Sequence, residues 1–105
     1  MSQAAVAQLF KALGDPVRLQ MVQRLSNGAA LCLGELSKDL GISRQGARKQ
    51  IQTLVSARVV QLHPRGREVK VQLDAAALAQ GRAFIASLEA QWEQRLQALK
   101  QFTEQ

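Results

Sequence analysis

The chain has 105 residues, 47% of them apolar, and carries 14 Lys and Arg against 8 Asp and Glu, which gives a formal charge of +6. This length supports one small domain and excludes a separate ligand-binding domain, while the apolar fraction excludes wholesale disorder. A basic balance of this size favours a polyanionic partner, most often nucleic acid.

Two helices are predicted at the N-terminal end. The first lies within 1–13 and ends at Gly14; its apolar residues at helical spacing are Ala4, Ala5, Leu9, Ala12 and Leu13. Asp15 is a favoured N-cap, and Pro16 at the first helical position loses no N–H that the helix needs, so a second helix begins there. Its predicted buried stripe is Leu19, Met21, Val22 and Leu25, and it ends at Ser26-Asn27-Gly28.

A helix-turn-helix is predicted over 33–57. Residues 29–31 before it read as a short strand or an extended link. A short helix over 33–40, with Leu33, Leu36 and Leu40 on one face, ends at Gly41. Ser43 caps a second helix that runs to about Ala57, with Ala47, Ile51, Leu54 and Val55 turned inward. A short helix, a Gly-containing turn and an N-capped helix together form the helix-turn-helix pattern.

The apolar period then changes from 3.6 to 2 over 59–73, which predicts a β-hairpin. Its inward set is Val60, Leu62, Val69, Val71 and Leu73, around a turn at Pro64-Arg65-Gly66. Asp74 caps a last helix within 74–105, whose apolar stripe is Leu78, Ile85, Leu88, Trp92, Leu96, Leu99 and Phe102. These elements predict one mainly α domain over 1–105, a winged helix-turn-helix with about five helices and a two-stranded wing.

The excess positive charge is confined to residues 43–70. This stretch has seven bases and one acid, whereas the bases and acids of the remaining chain cancel. It coincides with the second helix of the helix-turn-helix and the hairpin. We therefore expect both elements to face double-stranded DNA, with the helix in the major groove and the wing on adjacent backbone or minor groove.

The sequence resembles the ArsR/SmtB family of bacterial winged-helix repressors over roughly residues 5–75. The resemblance rests on four motifs in order: LFKALGDPVRLQMVQRL (9–25), LGELSKDLGIS (33–43), SRQGARKQIQTL (43–54) and VVQLHPRGREVKVQL (59–73). WEQRLQAL at 92–99 is similar to a non-metal branch of the family. Membership implies a homodimeric repressor whose first and last helices, within 1–13 and 74–105, pair across a twofold axis.

Eight residues are predicted to contact DNA. Arg and Lys can pair with guanine edges or phosphates, and Gln can read adenine. The resemblance places several of the helix positions at the DNA, and Arg65 and Arg67 flank the wing turn. Gln50 is not assigned a base contact. The full set is Ser43, Arg44, Gln45, Arg48, Lys49, Gln52, Arg65 and Arg67.

Apolar residues of the terminal helices are predicted to form the dimer contact. A domain of 105 residues cannot bury both helices on its own core, although burial of Trp92 and Phe102 in a monomer core is the alternative. A ligand pocket lined by Trp92 is a weaker alternative. The predicted interface set is Leu9, Leu88, Trp92, Leu96 and Leu99.

The chain offers no cofactor or metal site. Metal-sensing relatives carry Cys-x-Cys where this chain has Cys32 and Gly34, and a thiolate site needs three or four ligands whereas one Cys and one His are present. Cys32 is read as a small buried residue, with a single-thiol redox switch as the alternative. The sole histidine, His63, supports no catalytic group and is read as a surface residue of the wing.

The leading interpretation is a sequence-specific repressor rather than an enzyme, because no nucleophile–base pair, phosphate loop or metal cluster is present. The alternative is a winged-helix protein–protein adaptor, which has no need of a charge confined to helix and wing. The chain has one cysteine, no signal peptide and no bilayer-spanning apolar run, so we expect a cytoplasmic protein with no membrane partner. An inducer is unknown.

Overall fold

The computed structural model describes residues 2–104. In chain order the elements are α1 (Gln3–Leu13), α2 (Pro16–Arg24), β1 (Leu31–Cys32), α3 (Leu33–Ser37), α4 (Arg44–Ser56), β2 (Val60–Arg65), β3 (Glu68–Leu73) and α5 (Ala75–Thr103). Five helices and a hairpin in this order make the predicted winged helix-turn-helix. The predicted ranges 1–13 and 74–105 end on Met1 and Gln105, which lie outside the described residues.

The helix starts are fixed by side-chain caps at the predicted positions. Asp15 Oδ2 accepts the backbone N–H groups of Val17 and Arg18 at 3.0 and 3.1 Å. Ser43 Oγ accepts the N–H of Gly46 at 2.9 Å, and Asp74 Oδ1 accepts that of Ala76 at 2.9 Å. Each such cap stabilises the fold by about 1 kcal/mol, because it satisfies N–H groups that have no partner within the helix.

The first helix of the helix-turn-helix is shorter than predicted. It ends at Ser37 rather than at about Leu40, because Lys38 leaves the helical region with ψ at 128°. Asp39 and Gly41 then adopt the left-handed conformation, with φ of 62° and 69°. The reversal therefore begins three residues before the glycine, and Gly41 completes it.

The wing is part of a three-stranded antiparallel sheet rather than a separate two-stranded hairpin. The strand order is β1-β3-β2, so the short β1 pairs with β3 through Leu31 opposite Val71. Residues 29–31, read as a short strand or a link, thus enter the sheet at Leu31. At the other end Arg65 pairs with Glu68 across a two-residue turn, where Gly66 has φ of 63°. Glycine suits the first position of such a turn.

The core lies between the helix-turn-helix, α1 and the base of the sheet. Its largest fully buried side chains are Leu9, Met21, Leu25, Leu36, Leu54 and Val59. The predicted inward faces of α4 and β3 are confirmed at their centres by Ala47, Ile51 and Val71, which are buried. Three residues predicted to face inward are exposed, so the prediction is wrong for them: Leu19 on α2, Leu62 on the edge strand β2 and Val69 near the tip of the hairpin.

The dimer prediction for Leu9 needs a correction. Leu9 is 2% exposed, and a Cβ placed on Gly81 would lie 2.9 Å from its Cδ2 atom. Leu9 therefore holds α1 against α5 within one chain and presents no surface to a second copy. Beside it, the rings of Phe10 and Phe84 meet with centroids 5.9 Å apart.

The distal half of α5 projects from the domain with an exposed apolar stripe. Within this helix the buried residues are Ala77 and Gly81, both in its first two turns. Trp92 and Phe102 are 62% and 78% exposed, so the alternative that they fill a monomer core is wrong. The exposed stripe consists of Leu78, Ile85, Leu88, Trp92, Leu96, Leu99 and Phe102.

Among residues 2–104, no helix is long and apolar enough to cross a bilayer.

Candidate nucleic-acid interface

One face of α4 carries the polar residues predicted to contact DNA. Arg44, Arg48 and Gln52 are spaced four residues apart, so they lie one above the other along the helix. Gln45 and Lys49 occupy the adjacent row, and Ser43 is the N-cap. All six side chains are exposed, while the opposite face of α4 is buried through Ala47, Ile51 and Leu54.

The arginines of this face are free of internal partners. In residues 2–104 the recorded salt bridges join Lys70 to Glu35 and to Glu68, and the recorded side-chain hydrogen bonds involve neither Arg44 nor Arg48. Two other arginines differ: Arg18 and Arg24 donate to backbone carbonyl groups and hold the fold together. Unpaired guanidinium groups in water keep their full capacity to bind phosphate or a base edge.

The wing places two more arginines at its tip. Arg65 is the last residue of β2, and Arg67 occupies the turn beside Gly66. Both are exposed and, like the arginines of α4, enter no salt bridge within the described residues. The tip therefore presents two exposed cations on a narrow hairpin, a shape that can lie against a DNA backbone or enter a minor groove.

A groove of about 570 Å³ separates α4 from the wing. Arg44, Arg48 and Gln52 line one side of it and Arg67 the other. Ser43, Gln45, Lys49 and Arg65 are exposed but do not line this groove. The structure thus brings together three of the predicted arginines from two elements about 20 residues apart in the chain.

Arg58 belongs to the basic stretch in sequence but lies elsewhere in space. It follows α4 with φ of 61°, and it lines a second cavity with Ser2, Gln8 and Asp74 at the starts of α1 and α5. Six of the seven bases in 43–70 therefore remain on α4 and the wing. Arg58 is a natural control for the rest, because it carries the same charge outside the groove.

Arg18 of α2, which sequence reasoning left unassigned, links α4 to α2 and to the end of α1. Arg18 Nε donates to the carbonyl of Ala12 at 2.7 Å, and its Nη1 donates to Gln50 Oε1 at 2.7 Å. Gln50 points back into the protein, which agrees with its exclusion from the predicted base contacts. Arg18 thereby ties the end of α1 to the centre of α4 and fixes the angle at which α4 is presented.

Cys32 lies at the start of α3, beside a small ionic cluster. Its backbone N–H donates to Glu35 Oε1 at 3.0 Å, and hydrogen bonds from the Cys32 side chain and backbone lower the pKa of Glu35, with a further contribution from Lys70. Burial lowers the pKa of Lys70, but the carboxylates of Glu68 and Glu35 outweigh it, so the net shift is upward. This cluster anchors β3 to α3 through a half-buried Lys70.

Cys32 and His63 lie in one row of the sheet, each opposite Lys70, so the central strand β3 separates them. Cys32 is half-buried, and no group of three or more His, Cys, Asp or Glu able to hold a metal ion occurs among residues 2–104. His63 is half-buried rather than a freely exposed wing residue, and its Nε2 atom is buried without a hydrogen-bond partner among the described residues. The redox interpretation of Cys32 stays an alternative prediction.

Comparison with known proteins identifies relatives for both sequence and fold. Residues 13–63 match a family model described as a helix-turn-helix domain. The chain is 36% identical over 87 residues to the HTH-type transcriptional regulator Rv2034 of Mycobacterium tuberculosis, covering 83% of this chain and 78% of that protein. The match therefore includes about four fifths of each chain.

Solved structures match the fold closely. An ArsR-like transcriptional regulator from Rhodococcus sp. RHA1 superposes with a TM-score of 0.82 and 29% identity, over 94% of this chain and 92% of that one. The homodimeric winged helix-turn-helix DNA-binding domain of Mb0332 from Mycobacterium bovis superposes with a TM-score of 0.64 over 89% of this chain and 82% of that fragment, at 20% identity. The second likeness concerns the fold alone.

Proposed function

Since the chain belongs to the ArsR family of winged helix-turn-helix transcriptional regulators, we propose that it is a homodimeric repressor that binds a palindromic operator. The observation that carries this proposal is the set of unpaired arginines on α4 and the wing. Arg18 and Arg24 of α2, in contrast, donate hydrogen bonds to backbone carbonyl groups.

In this proposal α4 enters the major groove and reads base edges. Arg48 lies at the middle of the exposed face, one turn beyond Arg44, and a guanidinium can pair with both O6 and N7 of a guanine. Gln52, one turn further on, has the donor and acceptor needed for adenine. The brace from Arg18 to Gln50 holds this face in a fixed orientation, so base contacts require little reorganisation on binding.

The wing supplies contacts that position the protein without reading sequence. Arg65 and Arg67 bind phosphates or a minor groove next to the site of α4. The logarithm of the binding constant falls as the logarithm of the salt concentration rises, and each phosphate contact makes this slope steeper by roughly 0.9. Two wings per dimer hold four such arginines, so their removal makes the salt dependence less steep by about 3 to 4.

The second copy is held through α5. The exposed stripe extends along a helix roughly 43 Å in length, at 1.5 Å per residue. An apolar surface of that extent on a small domain favours association. The Mycobacterium bovis domain of the same fold is homodimeric, which supports the same arrangement here. Two copies related by a twofold axis place two α4 helices in successive major grooves, one helical turn apart.

Repression follows from occupancy of the operator, which blocks polymerase. The test is fluorescence anisotropy with a labelled duplex from upstream of the chain's own gene, against a scrambled duplex, over a series of salt concentrations. The proposal predicts tight binding to the upstream duplex, weak binding to the scrambled one, and a steep negative salt slope. Arg48→Ala reduces the discrimination between duplexes, and Arg65→Ala/Arg67→Ala reduces the slope while discrimination remains.

Arg58→Ala is the matched control, because it removes one charge of the same basic stretch outside the groove. Its affinity, discrimination and salt slope should equal those of the wild type. Equal loss in Arg48→Ala and Arg58→Ala would mean that net charge rather than α4 governs binding. Absence of binding to any duplex at low salt would refute the proposal that the protein binds DNA. A role as a protein–protein adaptor would then be the favoured function.

A further inference from the structure

The groove between α4 and the wing is lined by apolar as well as charged side chains. Leu62 and Val69 of the wing line it together with Leu33, and the first two are 38% and 47% exposed. These wing residues were predicted to face the core, yet they face the groove. Apolar side chains contribute nothing to phosphate binding, so the requirements of DNA binding alone do not explain this wall.

Charged and apolar side chains occur on both sides of the groove: Arg67 belongs to the wing with Leu62 and Val69, and Ile51 belongs to α4 with Arg44 and Arg48. Arg44, Arg48 and Arg67 contribute three guanidinium groups, and the one acid that lines the groove, Glu68, is paired with Lys70 at 3.5 Å. A volume of about 570 Å³ falls in the range of small-molecule sites, which combine apolar walls with a few convergent polar groups. The complement of such a surface is a molecule with one anionic end and one apolar body.

We propose that this groove binds a medium-chain carboxylate, whose head pairs with the arginines of α4 and whose hydrocarbon chain lies on Leu62, Val69 and Leu33. A guanidinium group pairs with a carboxylate through two parallel hydrogen bonds, so this head group fits the arginines of α4. The ligand and DNA use the same arginines of α4, so they exclude each other. The carboxylate is therefore an inducer that releases the operator.

The regulatory consequence rests on the proposed function, but ligand binding itself does not require DNA. Isothermal titration of the full chain with decanoate, kept below its micellar range, tests binding directly. We expect a dissociation constant on the order of 0.1 to 1 mM for a ligand of this size. Acetate, which has the head group without the chain, should bind at least tenfold more weakly, because each buried CH₂ contributes about fourfold.

The position of the ligand is tested by amide chemical shifts and by variants. Decanoate should perturb α4, β2 and β3, and the Leu62→Gln/Val69→Thr variant should bind it at least tenfold more weakly. Both substitutions lie on exposed positions, so the fold remains. Leu19→Gln removes an exposed leucine that does not line the groove and should bind decanoate as the wild type does. Shifts confined to the exposed stripe of α5 would overturn the assignment.

The competition with DNA is a separate measurement. Decanoate at millimolar concentration should lower the operator affinity of the wild type. Acetate at equal ionic strength, or decanoate with the Leu62→Gln/Val69→Thr variant, should cause a much smaller loss. Decanoate that binds the groove without displacing the operator would overturn the inducer role. If isothermal titration detects no binding of decanoate in the absence of DNA, the groove site is wrong. The repressor function is unaffected by that result, because the operator assay tests it independently.

Discussion

Replacement of Trp92 by alanine should break the dimer without unfolding the chain. The side chain is 62% exposed, and a tryptophan offers at most about 250 Å², so about 150 Å² is open to a partner. At 25 cal/mol per Å² its full burial contributes about 4 kcal/mol per protomer. The interface covers only part of the ring and alanine retains some contact, so we expect a loss of about 2 kcal/mol per protomer, or about 4 per dimer.

A loss of about 4 kcal/mol corresponds to roughly a thousandfold weaker dimer. Sedimentation equilibrium over a range of concentrations measures this constant, and circular dichroism checks that the helical content is retained. Leu19→Ala is the control, because Leu19 is 45% exposed on α2, away from the stripe. A Trp92→Ala variant that dimerises as tightly as the wild type, or a wild type that is monomeric, would show that α5 does not form the interface.

Three further predictions concern the scaffold of the interface. Gln50→Ala removes the partner of Arg18 and should lower the free energy of unfolding by about 1 kcal/mol in urea titration, with weaker operator binding at an unchanged salt slope. Asp15→Ala removes the cap of α2 and should cost about 1 kcal/mol by the same assay, without loss of discrimination between duplexes. Because the pKa of Glu35 is lowered in the folded protein, its charge stabilises the fold at pH values above the ordinary pKa range of a carboxyl group. This contribution is lost as the pH falls through the folded pKa. Wild type should therefore exceed Glu35→Gln in stability at pH 7, and the difference should shrink as the pH falls below the ordinary pKa range of a carboxyl group.

Each of these has a result that contradicts it. A changed salt slope in Gln50→Ala would mean that Gln50 contacts the DNA itself. An Asp15→Ala variant as stable as the wild type would show that Pro16 alone suffices to start α2. A stability difference between wild type and Glu35→Gln that does not change as the pH falls would show that the carboxylate charge is not its origin.

The sequence predicts the local starts of the helices and the order of the elements well. Asp15, Ser43 and Asp74 cap helices where local chemistry indicates, because a cap depends on residues only two or three positions away. Periodicity also identifies the exposed face of α4, since its apolar residues recur clearly on the other side. Local rules of this kind require no knowledge of the tertiary fold.

Other features depend on contacts that are distant in the chain. The early end of α3 at Ser37 follows from left-handed backbone at Asp39, whereas glycine at 41 is the visible turn signal. The hydrogen bond from Arg18 to Gln50 joins residues 32 positions apart, so neither residue indicates its partner. Leu62 has the alternation of a core residue, yet it lies on the edge strand β2 and faces the groove, while its partner Val71 on the central strand β3 is buried.

The reading of base edges by α4 is tested most directly by a cycle that combines a protein change with a DNA change. Each guanine of the operator is replaced in turn by 7-deazaguanine, which lacks the N7 acceptor of the major groove, and the affinities of wild type and Arg48→Ala are compared. The account predicts a coupling energy of about 1 kcal/mol or more at a guanine in each half-site. Independent effects of the two changes at every guanine would contradict base reading by Arg48.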